Sequence, residues 1–129
     1  MMITFRSKVF DSSAPKSGQT FYGEDLARWL EARLVGWNTS VVDEDWGWAV
    51  LANKGPLKYI FAVYDHDTNE ITDDGPRWVV RVFNLGNRED WFKILFKHDP
   101  PRAHQEVIDE VFGVLRDSRE VSDIRVEGT

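Results

Sequence analysis

A short turn sequence between two apolar runs constrains the fold of this chain more than any other feature. The turn Asn53-Lys54-Gly55-Pro56 separates an apolar run at 46–52 from a second one at 57–66. Glycine accepts the positive φ angles of tight hairpin loops, so the pattern predicts two antiparallel strands. We take Lys54 and Gly55 as the two loop residues, which fixes the register. The predicted pairs are Val50–Tyr59, Trp48–Phe61 and Trp46–Val63.

Side-chain alternation along these strands predicts an aromatic sheet face. The six paired residues share one side of the sheet, because successive side chains of a strand point to opposite faces. Trp78, Val80 and Val82 of a following strand extend the same face. Large aromatic side chains dominate protein cores, so we expect this face to be covered by helices. The alternative is a partly open aromatic groove for a small molecule or a peptide, since the chain has six Trp and Trp is favoured at binding sites.

The remaining elements follow from periodicity and from cap and turn residues. Two helices are indicated by apolar stripes at helical spacing, one over 23–35 with Leu26, Leu30 and Leu34, and one that begins with Asp99 as N-cap and Pro100. The segment 89–97 is compatible with a short helix or with a strand. The other predicted strands are 2–10, a short one at 41–42, 77–85 and 121–126.

The resulting order, β-α-β-β-β-β-α-α-β, predicts the fold class. Consecutive strands joined by short loops pair in antiparallel fashion, and strands bunched together between helices indicate an α+β fold. The length of 129 residues is typical of one domain, so we expect a single α+β domain over residues 1–129, with helices packed on one face of a mainly antiparallel sheet.

The opposite face of the predicted sheet carries cations among small and aromatic residues. Lys58, Arg77 and Arg81 fall on it, and the two arginines are four residues apart in one strand, so they point the same way. One interpretation is a half-solvated face, which antiparallel sheets commonly have. The other is a binding surface for an anion or an acidic peptide.

Two acidic runs flank the central strands. Asp43-Glu44-Asp45 precedes Trp46, and Asp65-His66-Asp67 ends the partner strand. The assumed register places Glu44 opposite Asp65, and like charges placed opposite each other are destabilising. We therefore expect this rim either to be a solvated loop end or to bind a cation, supplied by a metal or by Lys and Arg of a partner. The sequence predicts no resident metal or cofactor.

Charge and composition narrow the partners. The formal net charge is −6 and the chain has no Cys. A negative field repels phosphate backbones and anionic lipids, so we expect no nucleic-acid or membrane partner and favour a basic protein or peptide. Disulfide and thiolate chemistry are excluded. The first residues do not form a secretory signal and no run reaches the roughly 18 apolar residues of a membrane span, so a cytoplasmic location is expected.

Recognised catalytic motifs are missing from the chain. There is no phosphate loop, dinucleotide fingerprint, nucleophile elbow or HExxH zinc motif. His98 and His104 are six residues apart, which is not a recognised zinc spacing. His66 lies between two carboxylates and is better placed for a hard cation. No catalytic residue is predicted.

Two functional hypotheses follow. In size and acidity the chain resembles small bacterial immunity and inhibitor proteins, without sharing a motif with them. The first hypothesis is a small non-catalytic protein-binding module, such as an immunity-like inhibitor, an adaptor or a chaperone, that uses acidic loop ends and aromatic surface. The second is a small-molecule-binding protein or metal-assisted hydrolase with its acidic site at the sheet edge. The oligomeric state stays open, and either the last strand or the first is a candidate edge for pairing between chains.

Overall fold

The computed structural model describes residues 2–10, 23–44, 47–65, 75–85 and 103–127, which form a six-stranded antiparallel sheet and two helices. The elements in chain order are β1 Met2–Arg6, α1 Glu24–Arg33, β2 Asn38–Glu44, β3 Gly47–Lys54, β4 Leu57–Asp65, β5 Arg77–Asn84, α2 Gln105–Arg116 and β6 Ser122–Glu127. The strand order across the sheet is β2-β3-β4-β5-β1-β6. The predicted α+β fold class is therefore confirmed. The segment 89–97 lies outside the described residues.

The central hairpin forms where the turn sequence predicts it, but its register differs by two residues. Lys54 pairs with Leu57, and Val50 pairs with Phe61 rather than with Tyr59. The two loop residues are Gly55 and Pro56, with Gly55 at φ 57°. A two-residue loop with glycine in its first position explains the shift. Because side chains alternate with a period of two, a two-residue shift leaves every side chain on its predicted face.

The predicted aromatic face is the main core of the protein. Trp48, Val50, Tyr59, Phe61, Val63, Trp78, Val80 and Val82 are buried in one cluster with Ile3 and Phe5 of β1. Both helices add their apolar stripes to the same cluster, α1 through Leu26, Ala27 and Leu30, and α2 through Val107, Val111 and Leu115. The helices thus cover one face of the sheet, and the aromatic residues described there are core.

Helix α2 begins later than its sequence predicts. Its first helical residue is Gln105 and its N-cap is His104 in an extended conformation, while Asp99 and Pro100, the predicted start, lie outside the described residues. No side chain of the helix itself caps this end. Instead the hydroxyl of Tyr59, from the middle of β4, accepts the backbone N–H of His104 at 2.8 Å. A tertiary contact therefore accepts the N–H of the N-cap residue itself, which the N3 Glu or Gln of a capping box accepts in other helices.

The opposite face of the sheet is also buried, which corrects the half-solvated prediction. Ala49, Ile60 and Val79 are fully buried, and Arg77 is 7% exposed. Ala49, Ile60 and Leu85 form a second cluster with the partly buried Val42, Leu51 and Phe83. The central strands are therefore apolar on both sides, as their near-continuous apolar sequence allows. Within the described part of the chain, no helix is both long and apolar enough to cross a membrane.

Candidate functional site

Three polar residues singled out from sequence, Glu44, Asp65 and Arg77, lie at one end of the sheet, which we call the rim. The antiparallel order brings together the last residues of β1, β2 and β4, which are Arg6, Glu44 and Asp65, and the first residues of β3, β5 and β6, which are Gly47, Arg77 and Ser122. The rim is acidic on the side of β2 and β4. It is basic on the side of β5 and β1.

The acidic half of the rim collects two runs of the sequence on alternate strands. Asp43 is exposed, Glu44 is the last residue of β2, and Asp65 is the last residue of β4. The prediction that Glu44 directly faces Asp65 is wrong, because Glu44 pairs with Gly47 and Asp65 pairs with Trp78. The chain reverses between Glu44 and Gly47, so β3 lies between the two acidic strand ends. Two interstrand spacings separate them by about 10 Å.

Four of the predicted site residues, Asp45, Trp46, His66 and Asp67, lie outside the described residues. Trp48 is described and is 6% exposed, with its ring close to the backbone of Gly23 at the start of α1. Trp48 is therefore a core residue. Among the described side chains, no group of three or more His, Asp and Glu residues is arranged to hold a metal ion.

The basic half of the rim is an arginine cluster built around one carboxylate. The guanidinium of Arg77 forms an ion pair with Asp123 of β6 and donates to the hydroxyl of Thr4 at 3.0 Å. Arg125 donates from Nε and Nη2 to the same carboxylate at 3.3 and 3.2 Å. Arg6 lies 3.8 Å from it. Arg77, predicted to project from a half-solvated or anion-binding face, is instead buried, and its ion pair with Asp123 holds β6 on the sheet.

The arginine cluster determines the charge state of Asp123, whose backbone is also irregular. Its φ angle is 48°, in the left-handed region, and the pairing of β1 with β6 is irregular between Thr4 and Arg6. Partial desolvation raises the pKa of the Asp123 carboxyl, but the hydrogen bonds and charges of Arg77 and Arg125 together lower that pKa below its ordinary value of 3.8. The carboxylate is therefore held in its charged form.

Arg81, the other arginine predicted to bind, lies on the same face of β5 as Arg77, with Val79 between them. Its guanidinium carbon is 4.9 Å from the ring centroid of Phe83, a cation–π contact. The side chain is partly buried and its Nε atom has no hydrogen-bond partner among the described residues. Arg81 pairs in register with Met2, four residues along each strand from the Arg6–Arg77 pair, so the arginines form a row rather than one pocket.

Two tryptophan–glutamate hydrogen bonds that the sequence does not predict connect α1 and its C-terminal loop to α2 and the segment after it. The indole N–H of Trp29 in α1 donates to Glu120 at 2.5 Å, and that of Trp37 donates to Glu110 in α2 at 3.0 Å. A cation lies over each indole ring: Arg33 is 4.0 Å from the centroid of Trp29, and Lys54 is 5.6 Å from that of Trp37. These partners are 91 and 73 residues apart in the chain, so no local sequence pattern predicts the contacts.

The buried Tyr59 is the other polar residue that the sequence does not single out. Its hydroxyl lies 2.7 Å from Nδ1 of His104, in addition to accepting the backbone N–H of that residue. Burial raises the pKa of Tyr59, the backbone hydrogen bond from His104 lowers it, and the charge of Glu106 raises it, for a net rise above 10.0. Tyr59 is thus a neutral structural group at neutral pH.

Comparison with family models, with curated proteins and with solved structures found no match to this chain.

Proposed function

We propose that the protein is a non-catalytic protein-binding module that receives a basic segment of a partner at the acidic half of the rim. The observation that carries this proposal is the arrival of two acidic strand ends, at Glu44 and Asp65, at the same end of the sheet. The exposed Asp43 adds to the first of them. Two acidic strand ends about 10 Å apart suit two basic side chains of one bound segment better than a single ion.

The charge of the whole chain supports the same partner. A net charge of −6 attracts a basic protein at long range and raises its association rate at low salt. The basic half of the rim lies on the side of β5 and β1, away from β2, and the carboxylate of Asp123 offsets part of the charge of Arg77 and Arg125 there. An inhibitor, an adaptor or a chaperone that acts in the cytoplasm fits such a binding mode.

The proposed interface does not include the aromatic surface predicted from sequence. Trp48 and Trp78 are buried under the helices, and Trp37 is 8% exposed. Their contribution is to the stability of the sheet and not to a contact surface, so the proposed interface rests on charge.

The test uses a Lys/Arg-rich peptide as probe and a Glu/Asp-rich peptide of equal length as its counterpart, with binding followed by fluorescence anisotropy. We expect binding of the basic peptide alone, weakening as salt is added. The Asp43→Asn/Glu44→Gln variant should bind several-fold more weakly. Asp117→Asn/Glu127→Gln removes the same charge away from the rim and should bind like the wild type.

Two outcomes would overturn the proposal. One is equal loss of binding in both double variants, which would mean that only the net charge matters. The other is a thermal shift with Mg²⁺, Mn²⁺ or Ca²⁺ that disappears in Asp43→Asn/Glu44→Gln, which would favour the alternative of a metal-assisted site.

A further inference from the structure

The two edges of the sheet differ in how well they are protected against pairing with another chain. An edge strand presents unpaired backbone N–H and C=O groups, and proteins usually guard it with Lys, Pro, a bulge or an inward-facing charge. Strand β6 is guarded. It has Asp123 at φ 48°, an irregular register with β1, and charges at Asp123, Arg125 and Glu127. The first strand, β1, is no edge at all, since it lies between β5 and β6.

Strand β2 is less protected, because its charges, Asp43 and Glu44, are confined to its last two positions. Its sequence, Asn-Thr-Ser-Val-Val-Asp-Glu, contains no Lys and no Pro. All seven residues pair with β3 in one unbroken register, from Asn38 opposite Asn53 to Glu44 opposite Gly47. None of the side chains described for 38–43 is buried, and no strand lies on the outer side of β2 in the described part of the chain. It is a regular, seven-residue edge.

The sequence of β2 is complementary to itself when a second copy runs antiparallel. With Val41 opposite Val41 of the second copy, all seven residues pair, and Thr39 lies opposite Asp43. A hydroxyl donor then meets a carboxylate acceptor on both sides of the two-fold axis, and no two like charges face each other. The two Asp43 residues are about 13 Å apart, beyond the screening length of about 8 Å at physiological salt.

We propose that β2 is a homodimerisation edge, at which two copies of this chain join their sheets into one continuous twelve-stranded sheet. An antiparallel pair of seven-residue strands forms roughly six to eight backbone hydrogen bonds. The two-fold axis is perpendicular to the sheet, so the helices of both copies lie on the same side. The two rims point to opposite ends of the dimer, and Asp43 and Glu44 of each copy lie beside the seam between the two sheets.

The absence of cysteine makes a register-specific test possible in the full-length chain. In the proposed pairing the two Val41 Cα atoms are about 4.5 to 5.5 Å apart, which a disulfide spans. The two Ser40 Cα atoms are about 8 Å apart, which it does not span. Ser40 is the more exposed of the two positions, so random collisions would favour a disulfide at Ser40.

We therefore expect Val41→Cys to give a covalent dimer under mild oxidation, several-fold faster than Ser40→Cys and than Ser122→Cys on the opposite edge. Sedimentation equilibrium of the wild type should show a concentration-dependent rise from the 15.0 kDa chain mass towards twice that value. Circular dichroism checks that each variant is folded. A wild type that stays monomeric at every concentration would overturn the proposal, as would equal disulfide rates at 40 and 41. Neither measurement involves a basic partner, so the result is independent of the proposed function.

Discussion

The guanidinium of Arg77 reaches over strand β1 to form an ion pair with Asp123 of β6, two strands away. On the way it donates to Thr4 Oγ1 at 3.0 Å and to the backbone carbonyl of Asp123 at 3.3 Å. One buried side chain thus joins three strands. This matters because β6 is the last strand of the chain and most of its side chains are exposed, so few apolar contacts hold it in place.

Replacing Arg77 by Lys should destabilise the protein by about 1–2 kcal/mol, because an ammonium group cannot reach all of these acceptors with a planar fork. The measurement is urea unfolding at neutral pH, with amide exchange of β6 as a local readout. Arg125→Lys is the control: that side chain is 60% exposed, so its loss should cost less than about 0.5 kcal/mol. Equal effects of the two substitutions would contradict the central role of Arg77.

Acid should remove the contribution of Asp123 to stability. Its pKa in the folded protein is lower than the ordinary value, so the carboxylate stabilises the fold at any pH above the unfolded-state pKa of 3.8. That contribution is lost as the pH falls through the folded-state pKa. The wild type should therefore be more stable than Asp123→Asn at neutral pH, and the two should converge on acidification below pH 3.8. Urea unfolding across this pH range measures the free energy of unfolding of both proteins. A difference between them that widens on acidification would contradict the prediction.

The fold could be predicted from sequence to the extent that it depends on local pattern. The hairpin at Gly55, the two faces of the central strands and the apolar stripe of α2 all follow from spacing of apolar residues. The register was wrong by two because the position of Gly within a two-residue loop was assigned incorrectly, while alternation still placed Trp48 and Trp78 on the core side. A period-two pattern fixes the face of a side chain but does not fix its partner.

The candidate site was less predictable, because it depends on which strands become neighbours. Alternate strands of an antiparallel sheet run in the same direction, so the acidic last residues of β2 and β4 are expected at the same end of the sheet. Neither the position of β1 between β5 and β6 nor the pairing of Arg77 with Asp123, 46 residues later, has a local signal. Arg77 is buried because β1 and β6 lie beside β5. The charge pattern of a single strand does not indicate which strands are its neighbours.

The cap of α2 by Tyr59 makes a prediction with a matched control. Tyr59→Phe removes the acceptor of the His104 N–H and the contact with Nδ1, which should destabilise the protein by about 1–2 kcal/mol. Tyr64→Phe removes a hydroxyl whose described contact is a 3.9 Å approach to the sulfur of Met2, so it should cost much less. Thermal unfolding compares the two variants, and faster exchange of the first amides of α2 should accompany Tyr59→Phe alone.

The contact of Trp37 with Glu110 should be sensitive to the loss of the acceptor and tolerant of the loss of charge. Trp37 is 8% exposed, so Glu110→Ala leaves an indole N–H largely buried without its partner and should cost about 1 kcal/mol or more. Glu110→Gln keeps a carbonyl acceptor and should cost less. Asp109→Ala, at the neighbouring exposed position of α2, is the control for helix propensity. Chemical denaturation ranks the three variants. Equal losses for Ala and Gln at 110 would mean that the ion pair of Glu110 with Lys54, 3.9 Å away, is what matters.

Gly75 should be the least replaceable of the described glycines, because two separate constraints act on it. Its φ angle is 91°, and a Cβ atom there would lie 2.6 Å from the backbone nitrogen of Lys8 and against the carbonyl oxygen of Ser7. Backbone atoms cannot rotate away as a side chain can, so the ladder between the start of β5 and the end of β1 must move. Gly55 has a similar need for positive φ, at 57°, but nothing lies within 4 Å of its Cβ position.

Gly55→Ala should therefore cost about 1 kcal/mol from the backbone conformation alone. Gly75→Ala should cost about 2–4 kcal/mol, since overpacking adds to strain. Urea unfolding of the two variants compares them directly, and equal losses would mean that the Ser7–Lys8 backbone yields freely and that this corner of the rim is not rigid.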